Sequence, residues 1–141
     1  MDRKPYLKNI KRAVIKVGSG VLTRKNGLNL NLIDDITTEI CWLRKKGIEV
    51  ILVSSGAIAA VLKKAGLYRR PDSLSQMQAL AAMGQSSLIM AYEEAFARHG
   101  ARCAQILLTR DDLTHRRRYL NARNTLITLL AWGIIPIINE N

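Results

Sequence analysis

The chain has 141 residues and a formal net charge of +11, with 22 lysines and arginines against 11 aspartates and glutamates. Hydrophobic residues make up 48% of it and aromatic residues 5%, which allows an aliphatic core and excludes a disordered chain. No apolar run reaches the roughly 20 residues of a membrane-spanning helix, and the N-terminal residues do not resemble a secretory signal. The two cysteines, Cys41 and Cys103, are too few for a disulfide framework. We therefore expect a cytoplasmic protein with free thiols.

Four apolar segments predict β-strands, at residues 13–17, 50–53, 103–108 and 134–138. The second and fourth are almost continuously hydrophobic, which is typical of strands covered on both faces. Helical patterns separate the strands, at residues 32–43, 57–65, 73–99 (one long helix or two, with Gly84 as the expected break) and 121–132. This alternation predicts an α/β fold, a mainly parallel sheet with helices on both of its faces.

The first strand ends in Lys16-Val17-Gly18-Ser19-Gly20. Small residues let backbone N–H groups approach an anion closely, and Lys16 adds a point charge suited to phosphate oxygens. An ordinary strand-to-turn glycine pair explains the pattern equally well. The spacing is not that of a P-loop, and Thr23 stands where a dinucleotide-binding fingerprint needs its third glycine.

The second strand is followed by Ser54-Ser55-Gly56-Ala57, which opens a helix. Free N–H groups at a helix start bind carboxylate or phosphate, although a serine in this position is also a common N-cap. The coincidence of two such loops is more informative than either alone. If both strands are neighbours, Lys16 and Ser55 lie at one edge of the sheet, where a carboxylate and a phosphate can meet.

Two further segments carry polar groups. Asn139-Glu140-Asn141 follows the fourth strand, and Glu140 is either a base or an exposed loop residue. The basic run at residues 109–119 suits either nucleic acid or solvent. We favour solvent, because Tyr119 is the one aromatic residue near it that could stack on a base. His99 and His115 lack partners at metal-ligand spacing, so we predict no metal site.

Six motifs occur in order and together resemble the glutamate 5-kinase family, within the amino-acid kinase fold. They are Ile15-Lys16-Val17-Gly18-Ser19, Val53-Ser54-Ser55-Gly56-Ala57-Ile58-Ala59-Ala60, Ala81-Ala82-Met83-Gly84-Gln85, Leu107-Leu108-Thr109-Arg110, Tyr119-Leu120-Asn121-Ala122-Arg123 and Pro136-Ile137-Ile138-Asn139-Glu140-Asn141. The resemblance runs from about Arg12 to the end of the chain. Its opening motif is shared with carbamate, aspartate, acetylglutamate and uridylate kinases.

The resemblance implies ATP-dependent phosphorylation of the side-chain carboxylate of L-glutamate, the first step of proline synthesis, with Mg²⁺ as cofactor. It places Lys16 at the transferring phosphate as the catalytic residue and, with Gly18 and Ser19, beside the phosphates of ATP. It assigns Ser55, Gly56, Ala57 and Asn139 to glutamate. It also implies a homo-oligomer, without a membrane or nucleic acid as partner.

The resemblance further implies a truncated domain. Residues 1–141 correspond to the N-terminal, amino-acid-substrate-binding part, and the nucleotide-binding part is absent, so we expect this fragment alone to be inactive. The chain departs from the family pattern in two places. After Gly18 the family often has threonine followed by serine, where this chain has Ser19 and Gly20, and Asn124 stands where the family usually has an aspartate. The alternatives are another enzyme of this fold, such as acetylglutamate or uridylate kinase, or a basic nucleic-acid-binding module.

Overall fold

The computed structural model describes residues 8–25, 27–62 and 64–139, in which strands and helices alternate along the chain. The elements are β1 (Arg12–Val17), α1 (Ser19–Leu22), β2 (Thr23–Arg24), β3 (Gly27–Leu28), α2 (Leu30–Lys45), β4 (Glu49–Ser54), α3 (Ala57–Val61), α4 (Leu74–Ala97), β5 (Arg102–Leu107), α5 (Arg110–Thr114), α6 (Arg116–Ala131) and β6 (Ile134–Asn139). All four predicted strands are confirmed, with ends displaced by a single residue where they differ.

The main sheet has the strand order β1-β4-β6-β5, and every neighbouring pair in it is parallel. The final residues of the four strands are in register: Val17 pairs with Ser54, Ser54 with Asn139, and Asn139 with Leu107. The segments that follow the strands therefore leave from one edge. The short strands β2 and β3 form a separate antiparallel pair.

Helices cover both faces of this sheet, as the alternation of elements predicts. On one face, α2 and α4 pack over Leu52 and Ile137 in the main core, where the rings of Tyr92 and Phe96 lie 6.3 Å apart. Ile51 points to the opposite face, because neighbouring side chains of a strand alternate. There α6 lies against the sheet, and its leucines line a small cavity with Ile51.

Gly84 does not break the long helix. Of the two predicted alternatives, one long helix is correct and a break at Gly84 is wrong. Helix α4 is continuous from Leu74 to Ala97, and a Cβ atom at residue 84 would lie 1.6 Å from the carbonyl oxygen of Ala57. The glycine is required because the backbone of α3 crosses α4 at this point. Close packing between helices, rather than a helix stop, explains its presence.

The lengths of two other predicted helices were wrong. Helix α3 ends at Val61 instead of residue 65, and α6 begins at Arg116 instead of residue 121. The second difference has a clear reason. Arginine and leucine favour helices, and the first turns of α6 are exposed, so this part of the helix carries no apolar periodicity that would reveal it.

Both tryptophans are largely exposed to solvent. Trp42 is 54% exposed and Trp132 is 66% exposed. Both lie near the ends of helices, where the indole can rest on the surface, and the Nζ atom of Lys46 lies 5.4 Å from the ring centre of Trp42. The cysteines are free as expected, Cys41 buried and Cys103 half-buried.

Candidate functional site

The loop after β1 leaves its backbone accessible. Gly18 precedes α1, and its carbonyl oxygen accepts hydrogen bonds from the N–H groups of Val21 at 3.2 Å and Leu22 at 3.3 Å. A Cβ atom added to Gly18 or Gly20 would meet no described atom within 4 Å. An anion can therefore approach the main chain here without steric hindrance, which a phosphate-binding loop requires.

The loop after β4 is attached to the end of β1. The Ser55 N–H donates to the carbonyl oxygen of Val17 at 3.1 Å, and the Ser55 hydroxyl makes a longer contact of 3.4 Å to the same oxygen. Parallel pairing thus continues one residue beyond the strands. It fixes where the chain leaves β4, and it sets the position of the following residue, Gly56.

Gly56 brings the two loops into direct contact. Its φ angle is +107°, in the region that favours glycine. A Cβ atom at this position would lie 3.3 Å from Cα and 3.5 Å from Cβ of Ser19. The backbone turn and the close approach therefore both require a residue without a side chain.

A cleft of about 570 Å³ opens beside this contact. One wall comes from the two loops and α3, and the other from the first turns of α4 and the segment before it. The lining residues are Ser19, Ser55, Gly56, Ala57, Ile58, Ala59, Leu62, Arg70, Leu74, Met77, Gln78 and Ala81. A mostly apolar cleft of this size with a few polar groups is typical of a small-molecule site.

The structure brings most of the predicted site residues together. Ser19, Ser55, Gly56 and Ala57 line the cleft, with Gly18 directly before Ser19. The prediction that Lys16 and Ser55 lie at one edge of the sheet is confirmed, because Lys16 pairs with the strand residue two positions before Ser55.

Lys16 and Asn139 lie outside the lining of the cleft. The Lys16 side chain is exposed on the face opposite the main core, since its neighbours Ile15 and Val17 pack into that core. Asn139 is 9% exposed at the end of β6, in register with Ser54. Glu140 and Asn141 lie outside the described residues.

Three residues near the cleft were missed by the sequence analysis. Arg70 and Gln78 line it, and no motif marks either of them. Tyr92 lies behind it, where its hydroxyl is 3.0 Å from the Ser54 hydroxyl. The spacing of Tyr92 from Leu88 and Phe96 indicates a core position on α4. The same spacing does not indicate which serine Tyr92 contacts.

The described residues supply few ligands for a metal ion. None of the residues that line the cleft is acidic, and residues 8–25, 27–62 and 64–139 contain no group of three histidine, cysteine, aspartate or glutamate side chains that could hold a metal ion. In the same ranges, no helix combines the length and apolar character needed to cross a membrane.

The fold is shared with a solved structure of another protein. A solved structure of isopentenyl phosphate kinase superimposes on 92% of this chain and 57% of its own, with a TM-score of 0.61 at 15% sequence identity. That identity shows the fold alone. A model of the amino acid kinase family matches residues 11–141, and the chain therefore belongs to the amino acid kinase family.

Curated relatives are similar over almost the entire chain. A glutamate 5-kinase of Geobacter sulfurreducens is 59% identical over 140 residues, which is 99% of this chain and 38% of the relative. A glutamate 5-kinase of Azoarcus is 52% identical over 136 residues, 96% of this chain and 37% of the relative. The chain thus spans well under half the length of these relatives.

Proposed function

We propose that this chain forms the amino-acid-binding part of an enzyme that transfers the γ-phosphoryl group of ATP to the side-chain carboxylate of L-glutamate. The product is glutamyl 5-phosphate, which opens proline synthesis. The contact between Gly56 and Ser19 is the observation that carries the proposal. It sets a loop with accessible backbone against a serine-bearing loop, beside a cleft of suitable size.

The chemistry requires alignment more than proton transfer. A carboxylate oxygen attacks the γ-phosphorus while the bond from that phosphorus to the bridging oxygen breaks, and ADP leaves. The nucleophile is already an anion, so a general base is unnecessary. Two negative groups must be held together, and we assign Ser55, Gly56 and Ala57 to the carboxylate and Gly18 and Ser19 to the phosphate.

Lys16 and Asn139 complete the proposed site from the same edge of the sheet. An ammonium group can stabilise charge that develops on the transferring phosphoryl group. Asn139, in register with Ser54, is assigned to glutamate. Lys16 extends from the other face of the sheet, so the phosphoryl group would lie over the sheet edge rather than deep in the cleft.

The fit of the two cofactors differs. The open backbone at Gly18 suits the phosphates of ATP. The described residues that line the cleft include no carboxylate for Mg²⁺, so they do not fit that ion. The names of the relatives favour glutamate over the substrates of acetylglutamate or uridylate kinase. A homo-oligomer and a cytoplasmic location remain predictions.

A chimera tests the proposal. Residues 11–139 of this chain replace the matching segment of the Geobacter sulfurreducens glutamate 5-kinase, and hydroxylamine traps the acyl phosphate formed from ATP and glutamate. We expect glutamate-dependent hydroxamate from the chimera and none from the 141-residue chain alone. A correctly folded chimera that forms no hydroxamate, beside an active parent enzyme, would contradict the proposal.

A further inference from the structure

The cleft carries a positive charge in the segment that precedes α4. Among the described residues that line the cleft, Arg70 is the one ionisable residue, and most of its neighbours are apolar. Arg70 is itself exposed to solvent, and a ligand that displaces water from the apolar walls lowers the local dielectric constant and strengthens its attraction to the cation. The charge of the cleft is thus set by a residue to which the motifs of the sequence assign no function.

The guanidinium group of Arg70 makes one weak hydrogen bond, which leaves its other donors available for a ligand. Its Nε atom donates to the sulfur of Met77 at 3.0 Å, and a thioether is a weak acceptor. Arg70 forms no ion pair with any residue that the structure describes, and its terminal nitrogens make no hydrogen bond there. Their planar arrangement matches the two oxygens of a carboxylate.

The hydrogen bond to Met77 sets the Arg70 guanidinium group beside the first turn of α4, which gives the length of the ligand. Gly84 of this helix touches Ala57, beside the serine loop. At a rise of about 1.5 Å per residue, Met77 lies about 10 Å along the helix from Gly84. That span is comparable to an extended dicarboxylic amino acid with a hydrogen bond at each end.

We propose that Arg70 is a specificity-determining residue that binds the α-carboxylate of the substrate, while the side-chain carboxylate lies at the loops of Ser19 and Gly56. Gln78, on the same wall, offers an amide donor to the same carboxylate. The inference rests on the proposed function, because it concerns the other end of the same substrate. It predicts that the site selects amino acids with a free α-carboxylate.

The test compares glutamate with its α-carboxamide, which keeps the side-chain carboxylate and loses the α-carboxylate charge. In the chimera, Arg70→Ala should raise the KM for glutamate about 10- to 100-fold, the loss expected for one charge-assisted hydrogen-bonded pair, and leave kcat nearly unchanged. It should also abolish discrimination between the two compounds. Arg70→Lys should restore part of it.

Arg69→Ala is the matched control, since it removes the same charge from the adjacent residue, which does not line the cleft. It should leave the KM unchanged. Equal discrimination in Arg70→Ala and the unmodified chimera would overturn the inference, even with the enzyme active. If the chimera forms no hydroxamate, the proposed function fails first. In that case, calorimetric titration compares the binding of both compounds to the 141-residue chain and to its Arg70→Ala variant. Equal selectivity of the two proteins, or no binding, overturns the inference.

Discussion

The hydroxyl oxygens of Ser54 and Tyr92 lie 3.0 Å apart in the interior of the protein, where both residues are at most 1% exposed. Ser54 is the last residue of β4, and Tyr92 belongs to α4, which forms a wall of the cleft. Burial raises the pKa of the Tyr92 phenol, and the Ser54 hydrogen bond partly offsets this rise. The pair therefore stays uncharged and fixes the strand end from which Ser55 departs.

Removing one hydroxyl of this pair should destabilise the fold. Tyr92→Phe leaves the Ser54 hydroxyl buried without this partner, which costs about 1–3 kcal/mol of unfolding free energy. Urea denaturation measures the loss. The double variant Tyr92→Phe/Ser54→Ala should lose less than the sum of the two single variants, because it leaves no orphaned hydroxyl. Strict additivity of the two losses would show that the pair contributes nothing.

Gly84→Ala separates helix propensity from packing. In an exposed helix interior this change stabilises by about 1 kcal/mol, but here the new Cβ atom would lie 1.6 Å from the Ala57 carbonyl oxygen. We expect a net loss of about 1–3 kcal/mol from overpacking, measured as the free energy of unfolding. Gly20→Ala, in the short helix α1, where the added atom meets nothing within 4 Å, is the control and should not destabilise the protein. A stabilising Gly84→Ala would disprove the contact between the helices.

The sequence predicted the elements better than their contacts. The strands are apolar runs, and their local sequence pattern is enough to reveal that they are buried. The segments after β1 and β4 could be identified as site candidates because parallel strands end at one edge of the sheet. The role of Gly84 was not predictable, since a glycine that stops a helix and one that admits a neighbouring backbone look alike in a sequence. The Ser54–Tyr92 bond and the position of Arg70 depend on how α4 crosses the sheet, which no local pattern specifies.

Gly56→Ala should disturb the contact on which the proposed site depends. A non-glycine residue at a φ of +107° is strained, and the added Cβ would press on Ser19 at 3.3 Å. Gly47→Ala is the matched control, with a φ of +81° and open space around the added atom. We expect about 1 kcal/mol for Gly47→Ala and about 1 kcal/mol more for Gly56→Ala, from thermal or urea unfolding. Equal losses of unfolding free energy in the two variants would show that the contact with Ser19 does not affect stability.

The Cys103 thiol should make stability fall at alkaline pH. Burial, with a smaller contribution from the Glu93 charge, raises its pKa from 9.0 to about 11. The folded state therefore keeps a proton that the unfolded state releases. The contribution is complete below pH 9 and is lost as pH rises to about 11, with a slope below ~1.4 kcal/mol per pH unit because the thiol is only half-buried.

Comparison with Cys103→Ala isolates this titration from that of Tyr92, which both proteins retain. The difference in unfolding free energy between the two proteins should shrink from pH 9 to pH 11, in unfolding experiments under reducing conditions. A difference that stays constant over this range would show that the thiol titrates alike in both states.

Lys16 and Ser55 should affect different kinetic constants of the chimera, because the proposal assigns one to the phosphoryl group and the other to glutamate. Lys16→Ala should lower kcat by about 10²-fold or more, since it removes a charge that acts mainly in the transition state, and should change the KM for glutamate little. Ser55→Ala should raise the KM for glutamate about 10-fold with a smaller effect on kcat. Lys11→Ala removes the same charge before the start of β1, away from the site, and should change neither constant. An unchanged kcat in Lys16→Ala, or a Ser55→Ala variant that loses affinity for ATP instead of glutamate, would reverse the assignment of the two loops.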